Sequence, residues 1–193
     1  MQNPKDYLRS IGHIPKETFD KLKSISKYKK FDANTQLTER NKVPSKIYLL
    51  ISGVMRSYIT AESGKEFNKN LFFSMSFAGP LTALAKNAPS KVIYATLTPC
   101  EVYEIDYQEL IKLCETDIKV TLFYSKVLER VYMLYEKRQI ELISLDASKR
   151  YIKLKEDIPN IDELVTQYHI ASYLSITPVQ LSRIRKKIKT TKV

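Results

Sequence analysis

The sequence predicts an α+β chain: an amino-terminal antiparallel β jelly-roll barrel, a long helix, and a carboxy-terminal helix-turn-helix domain. Three observations carry this. Residues 31–107 break into short β-rich runs separated by turn residues at close spacing, the pattern of an antiparallel barrel or jelly roll. Residues 106–145 contain neither Pro nor Gly, so nothing interrupts a helix there. Residues 167–186, QYHIASYLSITPVQLSRIRK, have the apolar spacing and the start signal of two short crossing helices. The expected divisions are 1–110 for amino-terminal helices and barrel, 111–145 for the long helix, and 146–193 for the terminal domain.

Residues 4–30 are expected to be helical, because Leu8, Ile11, Phe19, Leu22 and Ile25 recur at near-helical spacing, interrupted at Gly12 and Pro15. Their many lysines read as a solvated face. The barrel strands follow as IYLLIS, VMRSYIT, NLFFSMSF, KVIYATL and CEVYEIDY, with ESGKE as a turn and AGP as a break. Within the long helix, Val120, Tyr124, Val127, Val131 and Leu134 repeat in alternating steps of four and three. Such a seam can pack on its own barrel or on a second subunit. Its length favours a subunit interface, hence a homodimer. ASKRYIKLKED is a further amphipathic helix ended by Ile158-Pro159.

In the terminal pair, Ile170, Leu174, Ile176, Leu181 and Ile184 can share a small core, and Ala171 suits a close helix crossing. Thr177-Pro178 is a strong helix start, since a Thr hydroxyl caps free amides and Pro is tolerated at the first helical position. From Pro178, helical spacing puts Leu181, Ile184 and Ile188 on one face. Val179, Ser182, Arg183 and Lys186 fall opposite, with Gln180 on the shoulder. That outward face suits a DNA major groove: Arg donates to guanine, Gln pairs with adenine, Val touches a thymine methyl. No acidic residue follows Leu164, while Arg183, Arg185, Lys186, Lys187, Lys189 and Lys192 are basic, a field that attracts phosphates. Double-stranded DNA is therefore the expected partner, contacted by Thr177, Val179, Gln180, Ser182, Arg183, Lys186 and Lys187. The alternative is a ligand-sensing or protein-interaction module whose basic tail does not read DNA sequence.

A hydrophobic content of 44% and a charged content of 27% fit a soluble globular protein, and the net charge of +11 fits a polyanionic partner. No apolar run is long enough to span a bilayer, and the amino terminus lacks a signal-peptide core, so a cytoplasmic location is expected. Cys100 and Cys114 are too few and too isolated for a disulfide framework, a zinc site or an iron–sulphur cluster. The two histidines, His13 and His169, complete no Ser/His/Asp or Cys/His set, and the four glycines form no phosphate-cradling loop. Glu101 and Glu104 flank a strand and read as solvent-facing. Neither an enzyme nor a bound cofactor is expected.

The order of these pieces resembles the Crp/Fnr family of transcription regulators. The resemblance rests on IYLLISGVMRSYI around Gly53, the ESGKE hairpin, CEVYEIDY before the long helix, and ASKRYIKL followed by YHIASYLSITPVQLSRIRKK. It implies a cyclic-nucleotide-binding-like barrel, a dimerisation helix, a DNA-reading helix-turn-helix with Arg183 as the recognition arginine, and RNA polymerase as a further partner. Three departures matter. Pro178-Val179 replaces the Arg-Glu pair of the cyclic-AMP-responsive members, so their operator does not carry over. Ser175 stands where the family often has Gly in the turn. In the effector pocket, Gly79 is followed by Pro80 and Leu81 where a ribose-holding glutamate is expected. The place of the phosphate-holding arginine falls at Ser90, beside Lys91. Ser90 cannot rebuild a bidentate clamp. The barrel is therefore expected not to bind cyclic AMP or cyclic GMP. The short segment between Lys155 and Asp162 leaves little room for the family's β-hairpin wing.

Overall fold

The computed structural model describes residues 4–191, without the side chains of Lys189 and Thr191. Lys192, counted above among the basic residues, lies outside the described residues. Two short helices, α1 (Pro4–Ile11) and α2 (Lys16–Ser24), lead into a seven-stranded antiparallel jelly roll. Its strands are β1 (Ser26–Phe31), β2 (Lys46–Ser52), β3 (Met55–Thr60), β4 (Glu66–Phe72), β5 (Ser76–Ala78), β6 (Ile93–Thr96) and β7 (Cys100–Asp106), with the short α3 (Leu81–Lys86) between β5 and β6. They form two sheets, ordered β1-β7-β2-β5 and β4-β3-β6. Tyr48, Leu50, Met55, Phe72, Tyr94 and Val102 fill the space between them.

The expected helix over residues 4–30 ends early. Residues 26–31 pair with β7 as an edge strand, in register from Ser26 with Ile105 to Phe31 with Cys100. The lysines here face solvent and guard that edge against pairing with another chain. Lys30 also forms an ion pair with Glu101 at 2.9 Å. NLFFSMSF is likewise two strands, split by a turn in which Met75 has φ +63°. Gly53 makes the turn from β2 to β3 at φ +91°, where a Cβ would sit 2.3 Å from the Pro99 carbonyl. No other residue fits there.

The expected long helix is two helices, α4 (Tyr107–Thr116) and α5 (Ile118–Ser144). The 110/111 division thus falls inside α4. Asp117 breaks the run: its backbone is extended, and its carboxylate caps the new helix through the amides of Lys119 and Val120. Lys21 holds the same carboxylate at 2.6 Å, tying α2 to the break.

The seam of α5 needs correction. Val120 and Val127 are buried within the chain, and Val127 packs with Ile14 and Phe123 against the amino-terminal helices. Tyr124 and Val131 turn toward the barrel. Of the five seam residues, Leu134 is the one left exposed. Other apolar residues that α5 leaves uncovered lie on a different face: Ile118, Leu122, Met133, Ile140 and Ile143, the last 87% exposed. Spacing shows that a helix has an apolar stripe, but not which surface meets it.

After α5 come α6 (Ala147–Asp157), the single-turn α7 (Ile161–Leu164), α8 (Gln167–Tyr173) and α9 (Pro178–Thr191). No strand occurs among the described residues after β7, so α7 occupies the place where a wing was in question. Ile161, Ile170, Ala171, Leu174 and Leu181 are fully buried in one core, which Val54 and Leu71 of the barrel extend. The helix pair therefore packs on the barrel itself. Among the described residues, no helix is long and apolar enough to cross a membrane.

Candidate nucleic-acid interface

The turn between α8 and α9 is built by backbone hydrogen bonds. Ile176 N–H donates to the Ala171 carbonyl at 3.0 Å, and Ser175 N–H donates to the Ser172 carbonyl at 3.1 Å. This paired closure needs a left-handed residue after the helix, and Ser175 supplies it at φ +58°. Ile176 then folds back onto the shared core. Two arginines brace the same end: Arg138 of α5 donates to the Tyr173 carbonyl, and Arg150 of α6 to the Leu174 carbonyl at 3.0 Å. Cations there complement the negative end of the helix.

The next helix opens on a reciprocal cap. Gln180 N–H donates to the Thr177 hydroxyl at 3.2 Å, while Thr177 N–H donates to the Gln180 side-chain oxygen at 2.8 Å. This is a capping box, with Gln at the third helical position. The cap commits the Gln180 amide oxygen to its own helix end. The TPVQ spacing carried that signal.

Leu181 is fully buried beneath α9, with Ile184 and Ile188 packed beside it. Val179, Ser182, Arg183, Lys186 and Lys187 are exposed, Val179 by 60%. The structure thus brings these five together on one open face. Arg185 does not belong to it. Its guanidinium donates to Asp162, to the Tyr151 hydroxyl at 3.2 Å and to Gln167 at 3.3 Å, pinning α9 to α6, α7 and α8. Burial raises the Asp162 carboxyl, but hydrogen bonds from Tyr151 and Lys155 and the Arg185 charge outweigh it and hold the group below its ordinary value. Tyr151, buried beside that carboxylate, is pushed up to about 12.

Sequence reasoning missed the joint between barrel and helix pair. Asn68 on β4 receives α8 from both sides of its own peptide. Its N–H donates to the Ser172 hydroxyl at 2.8 Å, and its side-chain amide donates to the His169 carbonyl at 3.0 Å. Arg56 on β3 donates to the Asn68 oxygen at 3.2 Å and pairs with Glu66 at 2.6 Å. Burial, with Arg56 close by, holds the His169 imidazole below its ordinary value, against a smaller opposing pull from Glu66.

The second constellation, Gly79, Pro80, Leu81, Ser90 and Lys91, also comes together. All five line a cavity of about 880 Å³ between the barrel and α5. Ser90 is buried, and its hydroxyl is spent on the Val92 backbone, donating to the carbonyl at 2.8 Å and accepting from the amide at 3.1 Å. The Gly79 carbonyl accepts from the Tyr94 hydroxyl at 2.7 Å. A lysine that the sequence did not single out, Lys69, joins the lining.

Residues 28–117 match the family model for the cyclic nucleotide-binding domain. The CRP-like protein Clp of Xanthomonas oryzae is 21% identical over 174 residues, covering 86% of this chain and 74% of that protein. Among solved structures, the c-di-GMP responsive global regulator CLP of Xanthomonas campestris superposes with a TM-score of 0.71. It is 19% identical and covers 92% of this chain and 93% of that one. A transcriptional regulator assigned to the crp/fnr family from Eubacterium rectale gives a TM-score of 0.68 at 13% identity, covering 92% and 85%. Residues 28–117 are therefore similar to the cyclic nucleotide-binding domain family, and the chain shares the fold of these solved structures.

Proposed function

We propose that this chain is a sequence-specific DNA-binding transcription regulator that works as a homodimer and does not answer to cyclic AMP. The observation that carries the reading is the open face of α9. Val179, Ser182, Arg183, Lys186 and Lys187 stand together on a helix whose other side is seated in a buried core. A helix so held can enter a major groove without losing its packing. Arg183 is the base reader, and Lys186 and Lys187 meet phosphates. Gln180 serves the cap, and Arg185 the fold. Contacts to RNA polymerase rest on the family resemblance.

The dimer reading moves from the Val120–Val131 seam to the uncovered face of α5, where Ile118, Leu122, Met133, Ile140 and Ile143 offer a second copy an apolar stripe. Two antiparallel-facing reading helices would then address half-sites about one turn of DNA apart. Against cyclic AMP stand the missing ribose acceptor at Pro80-Leu81 and the Ser90 hydroxyl turned to its own backbone.

A salt titration tests the DNA reading. The logarithm of the affinity for a selected duplex should fall linearly with the logarithm of salt concentration, and that affinity should stay well above the one for random duplex. Weak binding of equal strength to both duplexes would instead favour a protein-interaction role.

A further inference from the structure

A separate cavity lies on the other face of the four-stranded sheet, away from the one that Gly79, Pro80, Ser90 and Lys91 line. Side chains alternate along β2. Tyr48 and Leu50 point into the barrel core, whereas Ile47 and Leu49 point out beneath the amino-terminal helices. There α1 and α2 roof a space of about 230 Å³, floored by β2 and β7 and walled by α4 and α5. Ile47, Phe77, Tyr124 and Val127 line both cavities and form the partition between them.

The depth of this space is apolar. Leu8, Phe19, Leu22, Ile47, Phe77 and Ile105 face it and are only half-buried, although helices cover them. They keep apolar surface that close packing would have removed from water. The polar groups of the lining are already engaged. The Ser26 hydroxyl donates to the Lys23 carbonyl at 2.9 Å, and the Tyr103 ring packs on Tyr28 with centres 5.6 Å apart. Burial, with hydrogen bonding to Tyr107, pushes the Tyr124 phenol up, so it stays neutral. The Lys5 ammonium lies over the Phe19 ring, 5.4 Å from its centre, and Lys23 is exposed. Among the described residues, no carboxylate stands in the lining.

We propose that this cavity binds a small, neutral, apolar molecule of one or two rings. A dry apolar cavity of about 150 Å³ holds one benzene ring. A volume of about 230 Å³ leaves room for a second, fused ring. Phe19, Phe77, Tyr103 and Phe123 offer ring edges and faces to an aromatic guest. A charged guest would lose its hydration without gaining a partner in the deep wall, and Lys5 and Lys23 repel a cation. The guest bridges α1 and α2 to α5, where the ion pair of Lys21 with Asp117 already ties α2. It thereby bears on the helix that offers Ile118 and Leu122 to a second copy. That consequence rests on the dimer reading, whereas binding itself does not.

Calorimetric titration of the full chain with indole tests the site, with the cationic tryptamine as its counterpart. Indole should bind saturably, one per chain, and tryptamine about tenfold or more weakly. Leu22→Trp fills the space from α2 and should weaken indole about tenfold or more, as should Leu8→Trp from α1. The chain has no Trp of its own, so blue-shifted emission shows that the new ring is buried, and a thermal melt shows that each variant folds. Leu128→Trp, in the lining of the larger cavity and not of this one, should leave indole affinity unchanged. No saturable binding of indole, equally tight binding of tryptamine, or unchanged affinity in both roof variants would overturn the proposal. So would a loss in Leu128→Trp equal to that in the roof variants, which would put indole in the larger cavity. None of these readouts involves DNA or self-association, so a failure of the dimer reading leaves them standing.

Discussion

The backbone amide of Asn68 donates to the Ser172 hydroxyl at 2.8 Å, joining barrel strand β4 to the first helix of the carboxy-terminal pair. The bond spans 104 residues of sequence, and the buried Asn68 side chain adds a second to the His169 carbonyl. Through this joint, what happens in the barrel can reach the helix that presents Arg183. Ser172→Ala removes the acceptor of a half-hidden amide and should cost about 1–2 kcal/mol. Urea unfolding measures it, and hydrogen exchange should show faster exchange in α8 than in the barrel sheets.

The same joint makes stability depend on pH. The His169 imidazole titrates below its ordinary value in the folded chain, because burial and the nearby Arg56 disfavour its charged form more than Glu66 favours it. The unfolded chain therefore takes up this proton at a higher pH than the folded one. The contribution of His169 is fully present above about pH 6.5, and is lost as pH falls from there to the folded-state value. Unfolding midpoints at neutral and mildly acidic pH should converge between wild type and His169→Gln on acidification. A constant gap would show that His169 does not sense pH in this way.

Thr177→Ala should lower stability by about 1 kcal/mol through loss of the cap. Gln180→Ala should act in the same direction, because the two side chains satisfy each other's amides. If Gln180 were a base reader instead, its loss would change the preferred DNA sequence and leave the unfolding midpoint alone. Comparing the two variants in both assays separates these roles.

The two faces of α5 should respond differently. Val127→Ala empties a buried site beside Phe123 and should cost on the order of 2 kcal/mol in unfolding free energy. Ile143→Glu, on a residue 87% exposed, should barely change the stability of one chain but should weaken self-association in analytical ultracentrifugation. Unaltered association would place the dimer contact elsewhere.

Much of this was legible in the sequence because it is local. The helix-pair core of Ile170, Leu174 and Leu181 follows from spacing within 12 residues, and all three are fully buried. Strands such as Lys46–Ser52 and Cys100–Asp106 announce themselves by β-branched and aromatic runs between turn residues. What was not legible depends on distant partners. Residues 26–31, rich in lysine, look like a solvated helix until β7 supplies a strand to pair with. The stripe through Val120 and Val127 shows that α5 is amphipathic, but whether barrel or partner covers it is a tertiary fact. Arg185 and Arg183 are alike in a string of basic residues. Only the position of Asp162, Tyr151 and Gln167 separates the fold-holding Arg185 from Arg183, which is left exposed.

That separation supplies the most direct test. In vitro selection of DNA sites on wild type, Arg183→Ala and Arg185→Ala should give a near-palindromic motif for wild type. Arg183→Ala should relax one base pair in each half-site at a cost of roughly 1–3 kcal/mol in binding, with an unchanged melting temperature. Arg185→Ala should lower the melting temperature and weaken all sequences alike. Identical motifs and affinities for wild type and Arg183→Ala would contradict the assignment of α9 as the reading helix.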